Sequence, residues 1–185
     1  MEEERNQRAI DAIESAKELV INSIAETMDL YGVTPSAGRL YGTMYFHDEM
    51  TLDEMKDELQ MSKPSMSTAV KTLQEINMVH KVWKKGSRRD VFYAEKDFFK
   101  SFFNFFCMQW EREVKINLQA IKGAQQKLEE VINDTEVPEH IKDEATKNFT
   151  TLEESKKYYL WLGRFVERLR SEDIFNYLPV EEKED

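Results

Sequence analysis

Cysteine, glycine and proline are all scarce in this sequence. Its 185 residues include one cysteine, six glycines and four prolines. The single Cys107 cannot form an intrachain disulfide, so a reducing cytoplasm is the expected location. Because glycine and proline interrupt helices, their scarcity predicts few breaks and long helices.

The sequence also lacks a long apolar run. No segment stays apolar over the length that a membrane-spanning helix needs, so we expect no membrane partner. The first residues are acidic and then follow a helical pattern, unlike a signal peptide. Hydrophobic residues make up 41% of the chain and charged residues 34%, which is typical of a folded protein with a buried core.

Motifs of catalysis are missing as well. The sequence contains no glycine-rich phosphate loop and no H-E-x-x-H motif. Its three histidines, His47, His80 and His140, are far apart, and no Cys/His cluster has the spacing of metal ligands. We therefore expect no enzyme activity, no cofactor and no metal site.

Positive charge is concentrated in one segment of an acidic chain. The net charge is −10, but residues 62–90 contain seven lysines and arginines against two acidic residues. This basic segment therefore carries +5, and the remainder of the chain carries −15. Such a distribution predicts one face that binds nucleic-acid phosphates, while the rest of the surface repels them.

The first part of the chain is predicted to form two helices. Apolar residues at helical spacing indicate a helix over residues 4–31, and Gly32 and Pro35 mark its end. A second helix is expected over residues 36–46, followed by a short connector.

Two further helices have strong start signals. Thr51 and Glu54 form a capping box, which opens a short helix. Ser62 is a favoured N-cap and Pro64 is tolerated in a first helical turn, so the next helix begins here and runs to about Asn77. The tight turn between these helices predicts a helix-turn-helix, with the second helix in the recognition position.

A β-hairpin is predicted to follow the recognition helix. Residues 78–84 and 90–95 are rich in valine and aromatic side chains, and the first of these stretches alternates apolar with polar residues, as strands do. The turn between them, residues 85–89, is basic and contains Gly86. Helices and hairpin in this order predict a mainly α fold with a winged helix-turn-helix domain over residues 32–95.

Side chains of the recognition helix and the wing are the candidate DNA contacts. Lysine and arginine bind phosphate, small hydroxyl groups allow close approach of the backbone, and a wing arginine suits the minor groove. Taken singly, each residue is better explained as a solvated surface or as protection of a sheet edge. Their confinement to the two elements that face DNA favours the DNA hypothesis. The candidates are Lys63, Ser65, Ser67, Thr68 and Lys71 on the helix and Lys84, Lys85, Arg88 and Arg89 on the wing.

The second half of the chain is predicted to be helical. One long helix is expected over residues 96–133 and another over 138–171, with a point of division at residues 149–151. A dense aromatic run at residues 98–110 is expected to be buried between several elements. Ordinary core packing explains most of these rings, and the alternative is that some line a pocket for a quaternary ammonium ion.

The helices that flank the winged domain, residues 1–31 and 96–185, are expected to form a dimerisation region. The last long helix carries more large apolar side chains than a lone surface helix needs. Packing within one chain explains the same pattern, and the sequence does not separate the two alternatives. A homodimer is favoured because two half-sites multiply DNA specificity.

Five stretches between residues 20 and 110 carry a family resemblance: Met28–Pro35, Gly38–Phe46, Met50–Met55, Met61–Ser67 and Val82–Gly86. In this order they resemble the MarR-like winged-helix regulators of the glycine-betaine-synthesis-regulator (GbsR) branch. The resemblance implies a homodimeric repressor of genes for the uptake or synthesis of osmoprotectants. It also implies that choline or glycine betaine is sensed in an aromatic cage, for which the candidates are Tyr41, Tyr45, Phe99, Phe103 and Trp110.

A winged helix can also bind another protein. The acidic total charge is compatible with a protein-interaction module that senses no ligand. The basic segment at residues 62–90 favours double-stranded DNA as the partner over this alternative.

Overall fold

Helices dominate the structure. The computed structural model describes residues 1–86 and 89–181, and the mainly α prediction is confirmed there. None of the helices in these ranges is both long and apolar enough to cross a lipid bilayer. The elements are α1 (Glu2–Asp29), α2 (Pro35–Tyr45), β1 (Met50–Thr51), α3 (Leu52–Leu59), α4 (Lys63–Glu75), β2 (Val79–Val82), β3 (Val91–Ala94), α5 (Phe98–Asn133), α6 (Glu139–Arg170) and a 3₁₀ helix (Asp173–Asn176).

Packing divides the chain into two compact units. The first unit spans Met1–Phe105 and the second begins at Phe106. The first therefore contains α1 to α4, the sheet and the start of α5. The second contains the rest of α5 and α6. The segments 1–31, 32–95 and 96–185 were defined by role rather than by packing, and those roles remain predictions.

The predicted helix start signals are present in the first unit. Glu54 N donates to Thr51 Oγ1 at 3.3 Å, and Thr51 N donates to a Glu54 carboxylate oxygen at 2.7 Å, which completes the capping box. At the start of α4, Ser65 N donates to Ser62 Oγ at 3.2 Å. These side chains satisfy backbone N–H groups that have no partner inside the helix.

Residues in the left-handed backbone conformation follow the ends of α1 and α3. Gly32 has φ +80°, and Val33 N donates to Met28 O at 3.1 Å. Gln60 has φ +53° and turns the chain between the two helices of the helix-turn-helix. Gly32 was predicted to have this role, because glycine adopts positive φ without strain. The sequence around Gln60 gives no such signal.

The sheet has the strand order β1–β3–β2, and both pairs are antiparallel. The predicted hairpin is confirmed, with Val79 opposite Ala94. β1 was expected to be a connector, but Met50 pairs with Phe92. A strand of two residues is too short to show alternation, and its identity depends on the partner strand that the fold places beside it.

Two glycines allow α1 and α2 to pack closely. A Cβ atom added at Gly38 would lie 2.9 Å from the Ala25 Cα atom, and one at Gly42 would lie 3.1 Å from the Ile21 Cα atom. Real Cβ atoms essentially never approach another heavy atom within 3.0 Å, and 3.1 Å is tighter than nine in ten real Cβ contacts. At Gly38 the backbones of α1 and α2 therefore meet at a distance that requires glycine, and at Gly42 an added side chain would force a small shift of α1.

Methionine fills much of the core of the first unit. Its flexible thioether side chain adapts to irregular spaces between helices and sheet. Leu40 and Leu73 are fully buried in the same core. Six of the nine methionines are at most 3% exposed: Met28, Met44, Met50, Met55, Met66 and Met78.

The aromatic run at the start of α5 is less buried than expected. Phe105 is buried, but Phe98 and Phe99 are 38% and 47% exposed. The expectation of burial is therefore wrong for these two rings. Aromatic side chains in this run point in many directions around the helix, and neighbouring elements cover only part of its circumference.

In the second unit, α6 runs without a break. The division expected at residues 149–151 is wrong, because Thr150 Oγ1 and Thr151 Oγ1 donate to the carbonyl oxygens of Thr146 and Lys147, both at 3.0 Å. Threonine lowers helix propensity, but its hydroxyl can bond to the preceding turn and remain inside a helix.

An ion pair joins α5 and α6 within the second unit. The Arg170 guanidinium donates to the two carboxylate oxygens of Glu111 at 2.5 and 2.9 Å. This hydrogen bonding holds the pKa of Glu111 below its ordinary value. Nearby, Cys107 is buried, and burial raises the pKa of its thiol. The thiol therefore stays protonated at neutral pH, as expected for an unreactive cysteine.

Candidate DNA-binding surface

Helix α4 has one buried and one polar face. Met66, Ala69, Val70 and Leu73 are buried against the first unit. The opposite face carries all five predicted helix contacts, and each of them is exposed: Lys63, Ser65, Ser67, Thr68 and Lys71. This face is therefore available to a partner without any change in the core.

The hydroxyl groups of this face differ in their remaining hydrogen-bonding capacity. Ser65 Oγ lies 2.8 Å from Ser62 Oγ, and Thr68 Oγ1 donates to Pro64 O at 3.1 Å. Within the described ranges, the Ser67 hydroxyl has no hydrogen-bond partner. Ser67 can therefore offer both a donor and an acceptor to DNA, whereas Thr68 offers its lone pairs.

The wing presents basic and aromatic side chains beyond the paired strands. Gly86 has φ +85° and turns the chain at the tip. Trp83 directly follows β2 and is 82% exposed. Arg88, the fourth predicted wing contact, lies outside the described residues. The other three are exposed: Lys84, Lys85 and Arg89.

Several lysines of the basic segment are paired with carboxylates of the same chain. In contrast, Lys71 and Lys85 have no carboxylate within 4.0 Å among the residues that the structure describes. The paired lysines form the contacts Lys63–Asp53 (2.7 Å), Lys81–Asp90 (2.8 Å) and Lys84–Glu49.

Asp53 lies between the recognition helix and the wing. A hydrogen bond from Lys63 lowers the pKa of Asp53, and the positive charges of Arg89 and Lys56 act in the same direction. Asp53, Lys63 and Arg89 line one cleft. The carboxylate is therefore ionised at neutral pH and offsets part of the positive charge on this surface.

The five predicted cage residues lie in different surroundings. Tyr41 is fully buried, and its hydroxyl donates to Glu95 O at 2.7 Å. Tyr45 stacks on Phe98 with ring centroids 5.0 Å apart. Phe99 and Phe103 form an edge-to-face pair at 5.9 Å. These four belong to the first unit.

Trp110, the fifth cage candidate, belongs to the second unit. Its ring stacks on Phe106 with centroids 5.3 Å apart and lies 5.7 Å from Phe165. Phe165 in turn stacks on the exposed ring of Trp161. Neither Phe165 nor Trp161 was among the predicted ligand contacts, and the cage as a whole remains a prediction.

Sequence reasoning missed three residues of the candidate DNA-binding surface. Trp83 was assigned to the first wing strand, but that strand ends at Val82 and leaves the indole exposed. Glu49 and Asp53 precede the basic segment in the chain and contact it only in the folded protein. The charge of +5 counted over residues 62–90 therefore overstates the charge of the surface.

Comparison with known proteins identifies a family and close relatives. Residues 98–176 match the family described as "GbsR family transcriptional regulator, C-terminal helical hairpin". The chain is similar to the HTH-type transcriptional repressor GbsR of Bacillus subtilis (strain 168), with 58% identity over 172 residues, covering 93% of this chain and 96% of that protein. It is also similar to the HTH-type transcriptional repressor OpcR of the same organism, with 32% identity over 172 residues, covering 92% and 93% of the two chains.

Proposed function

Because this chain belongs to the GbsR family of transcriptional regulators, we propose that it is a homodimeric repressor that binds double-stranded DNA through α4 and the wing. The observation that carries this proposal is the polar, exposed face of the capped helix α4 beside a basic wing. The names of two relatives, both repressors, support the direction of regulation.

In the proposed complex, α4 lies in the major groove. Ser67 and Thr68 reach base edges or phosphates, and Lys63 and Lys71 bind the DNA backbone. The N-terminal end of α4 adds a partial positive charge toward the phosphates.

The wing extends the contact along the DNA. Lys84 and Lys85 bind phosphates, and Arg88 or Arg89 enters the minor groove. The exposed Trp83 ring packs against the sugar-phosphate backbone, next to the lysines that follow it. A repressor of this kind acts where the DNA is, so we propose the cytoplasm as its location.

Exposed apolar side chains on the flanking helices support a homodimer. Isolated apolar residues are normal on a surface, but clusters of them mark interaction sites. A dimer would also place two copies of α4 on two half-sites, which multiplies the specificity of binding. The exposed side chains are Ile10, Ile13 and Val20 on one side of α1 and Tyr158, Leu160 and Trp161 on α6.

We further propose that the protein controls genes for osmoprotectant uptake or synthesis and that choline or glycine betaine is its signal. Aromatic rings attract quaternary ammonium ions through their negative faces. Tyr45, Phe99, Phe103 and Trp110 remain ligand candidates on this basis. Tyr41 is also a candidate, but its buried ring would meet a ligand only after a rearrangement.

A ligand titration tests this part of the proposal. Choline and glycine betaine are added separately, and melting temperature, tryptophan fluorescence and DNA affinity are recorded. We expect at least one compound to shift all three quantities. If neither compound changes any of them, the sensing role is wrong and DNA binding stands alone.

A four-residue wing variant tests DNA binding. We expect the wild-type protein to retard a promoter fragment from its own operon, with an affinity that falls steeply as salt rises. Changing Lys84, Lys85, Arg88 and Arg89 to alanine should weaken binding. The slope of log affinity against log salt should fall by up to about 0.9 for each phosphate that the variant no longer binds.

A control variant separates the wing from net charge. It removes the same number of positive charges from exposed lysines of α5 and α6 and should leave DNA affinity within about twofold. Undiminished binding by the wing variant would remove the wing from the interface. A wild-type protein that binds no DNA would favour the protein-interaction alternative. The control lysines are Lys115, Lys122, Lys127 and Lys147.

A further inference from the structure

We propose that Asp53 is an internal competitor of DNA phosphate: its carboxylate holds Lys63 in the free protein and has to release it when α4 binds DNA. This inference rests on the proposed DNA-binding function and assigns a role to a residue outside the basic segment. Its starting point is the 2.7 Å contact between Lys63 Nζ and Asp53 Oδ1.

The position of Asp53 resembles that of a bound phosphate. Asp53 shares a cleft with Lys63, the first residue of α4, and with Arg89 of the wing. One carboxylate thus shares a cleft with a cation from α4 and a cation from the wing. A phosphate that bridges a recognition helix and a wing would have the same two kinds of neighbour, because carboxylate and phosphate oxygens bind the same donors.

The pair can exchange partners without disturbing the fold. The Lys63 and Asp53 side chains are 54% and 43% exposed, so a phosphate can reach Lys63 from solvent. The cap of α3 is supplied by Thr51 and Glu54 rather than by Asp53. Separation of Asp53 from Lys63 therefore leaves the start of α3 in place.

The exchange opposes DNA binding in two ways. Transfer of Lys63 to a phosphate breaks the ion pair, and it leaves the ionised Asp53 carboxylate beside the negatively charged DNA. Removal of the carboxylate charge with retention of side-chain shape should therefore strengthen binding, and the gain should depend on Lys63.

A double-mutant cycle tests this dependence. Dissociation constants of full-length wild type, Asp53→Asn, Lys63→Gln and the double variant are measured by fluorescence anisotropy on the promoter fragment at several salt concentrations. We expect Asp53→Asn to tighten binding by about three- to fivefold, the equivalent of one exposed ion pair. In the Lys63→Gln background the same change should tighten binding less than twofold.

A matched control comes from the same helix. Asp57→Asn also removes one negative charge from α3, but the ion pair that Asp57 forms, at 3.0 Å, is with Lys56 of its own helix rather than with a lysine of α4. We expect it to tighten binding less than twofold. Asp53→Ser is measured beside Asp53→Asn, and thermal unfolding of both is recorded, so that a folding defect in one variant does not decide the outcome.

The alternative outcomes each overturn the inference. An equal gain in both Lys63 backgrounds would show a long-range charge effect rather than competition. Weaker or unchanged binding by folded Asp53 variants would mean that Asp53 orients Lys63 or has no influence. If the wild type binds DNA and one of these outcomes is observed, the proposed competition by Asp53 is wrong but the proposed DNA-binding function is retained. If no variant binds DNA, the proposed function fails with it.

Discussion

The absence of a Cβ atom at two glycines allows α1 and α2 to pack closely. The missing side chains of Gly38 and Gly42 allow the two backbones to approach, and α2 in turn packs against α4. Backbone atoms cannot swing aside as a flexible side chain can. A change at Gly38 is therefore transmitted to the helix axes.

We expect Gly38→Ala to lower the free energy of unfolding by about 1 to 3 kcal/mol, the usual range for an overpacked core. The new Cβ would meet the Ala25 Cα atom at 2.9 Å, which outweighs the better helix propensity of alanine. Urea unfolding followed by circular dichroism measures the effect. Gly123→Ala is the matched control, since among the described residues its added Cβ would meet no heavy atom within 4 Å beyond the adjoining backbone of α5, and it should raise stability by up to about 1 kcal/mol. Equal stability of the two variants would contradict the close contact.

At the residue scale, local signals were predictable and long-range pairs were not. Thr51 and Ser62 cap their helices as predicted, because a cap depends on residues within three positions of each other. The contact of Asp53 with Lys63 spans ten positions and requires the turn between α3 and α4 to be in place. No sequence pattern of charge reveals it.

Among the elements, α5 and α6 are joined by a pair whose strength depends on pH. Hydrogen bonds from Arg170 hold the pKa of Glu111 in the folded protein below its ordinary value of 4.5. A carboxyl group whose pKa is lower in the folded state stabilises the fold when the pH is above its pKa in the unfolded state. This contribution is lost as the pH falls through its pKa in the folded state. The pair should therefore add stability at neutral pH and none in strong acid.

Glu111→Gln tests that sign. We expect the variant to be less stable than wild type at pH 7, and the difference to shrink as pH falls below about 4.5 and toward the folded pKa. Thermal unfolding at pH 7, 5, 4 and 3 measures it. Glu129→Gln, another exposed carboxylate of α5, should match wild type throughout. A difference between wild type and Glu111→Gln that is constant over this range would show that the pair does not titrate as inferred.

The long helix α5 was predicted well. The two-residue strand β1 was missed, and the continuity of α6 was not predicted. The bounds of α5 follow from sustained helical spacing over ten turns. β1 was missed because two residues carry no period, and pairing with β3 defines it. α6 was expected to divide at Thr150, where local propensity is weak, but the hydroxyl bonds within the helix and the packing of its neighbours maintain it.

On the scale of the whole molecule, the proposed dimer depends on apolar surface that one chain leaves exposed. We expect wild type to sediment at micromolar concentration with twice the 21.9 kDa mass of the chain. The double variant Ile10→Glu/Ile13→Glu should sediment as a monomer, because it places charge in an apolar patch of α1. Analytical ultracentrifugation measures both.

The control for the dimer lies on the other side of α1. Ala12→Glu and Ser15→Glu add the same charge to exposed positions rotated about half a turn from Ile10 and Ile13. This variant should remain dimeric. A dimer in both variants would move the interface away from this part of α1, and a monomeric wild type would remove the dimer from the proposed function.

Oxidation of the buried methionines can report on local opening of the first unit. A thioether is oxidised to a sulfoxide only where peroxide can reach the sulfur. The six core methionines are at most 3% exposed, whereas Met1 is fully accessible. Oxygen uptake at Met66 of α4 or Met55 of α3 therefore measures how often the helix-turn-helix separates from its core, and DNA that holds these helices in place should slow that chemistry.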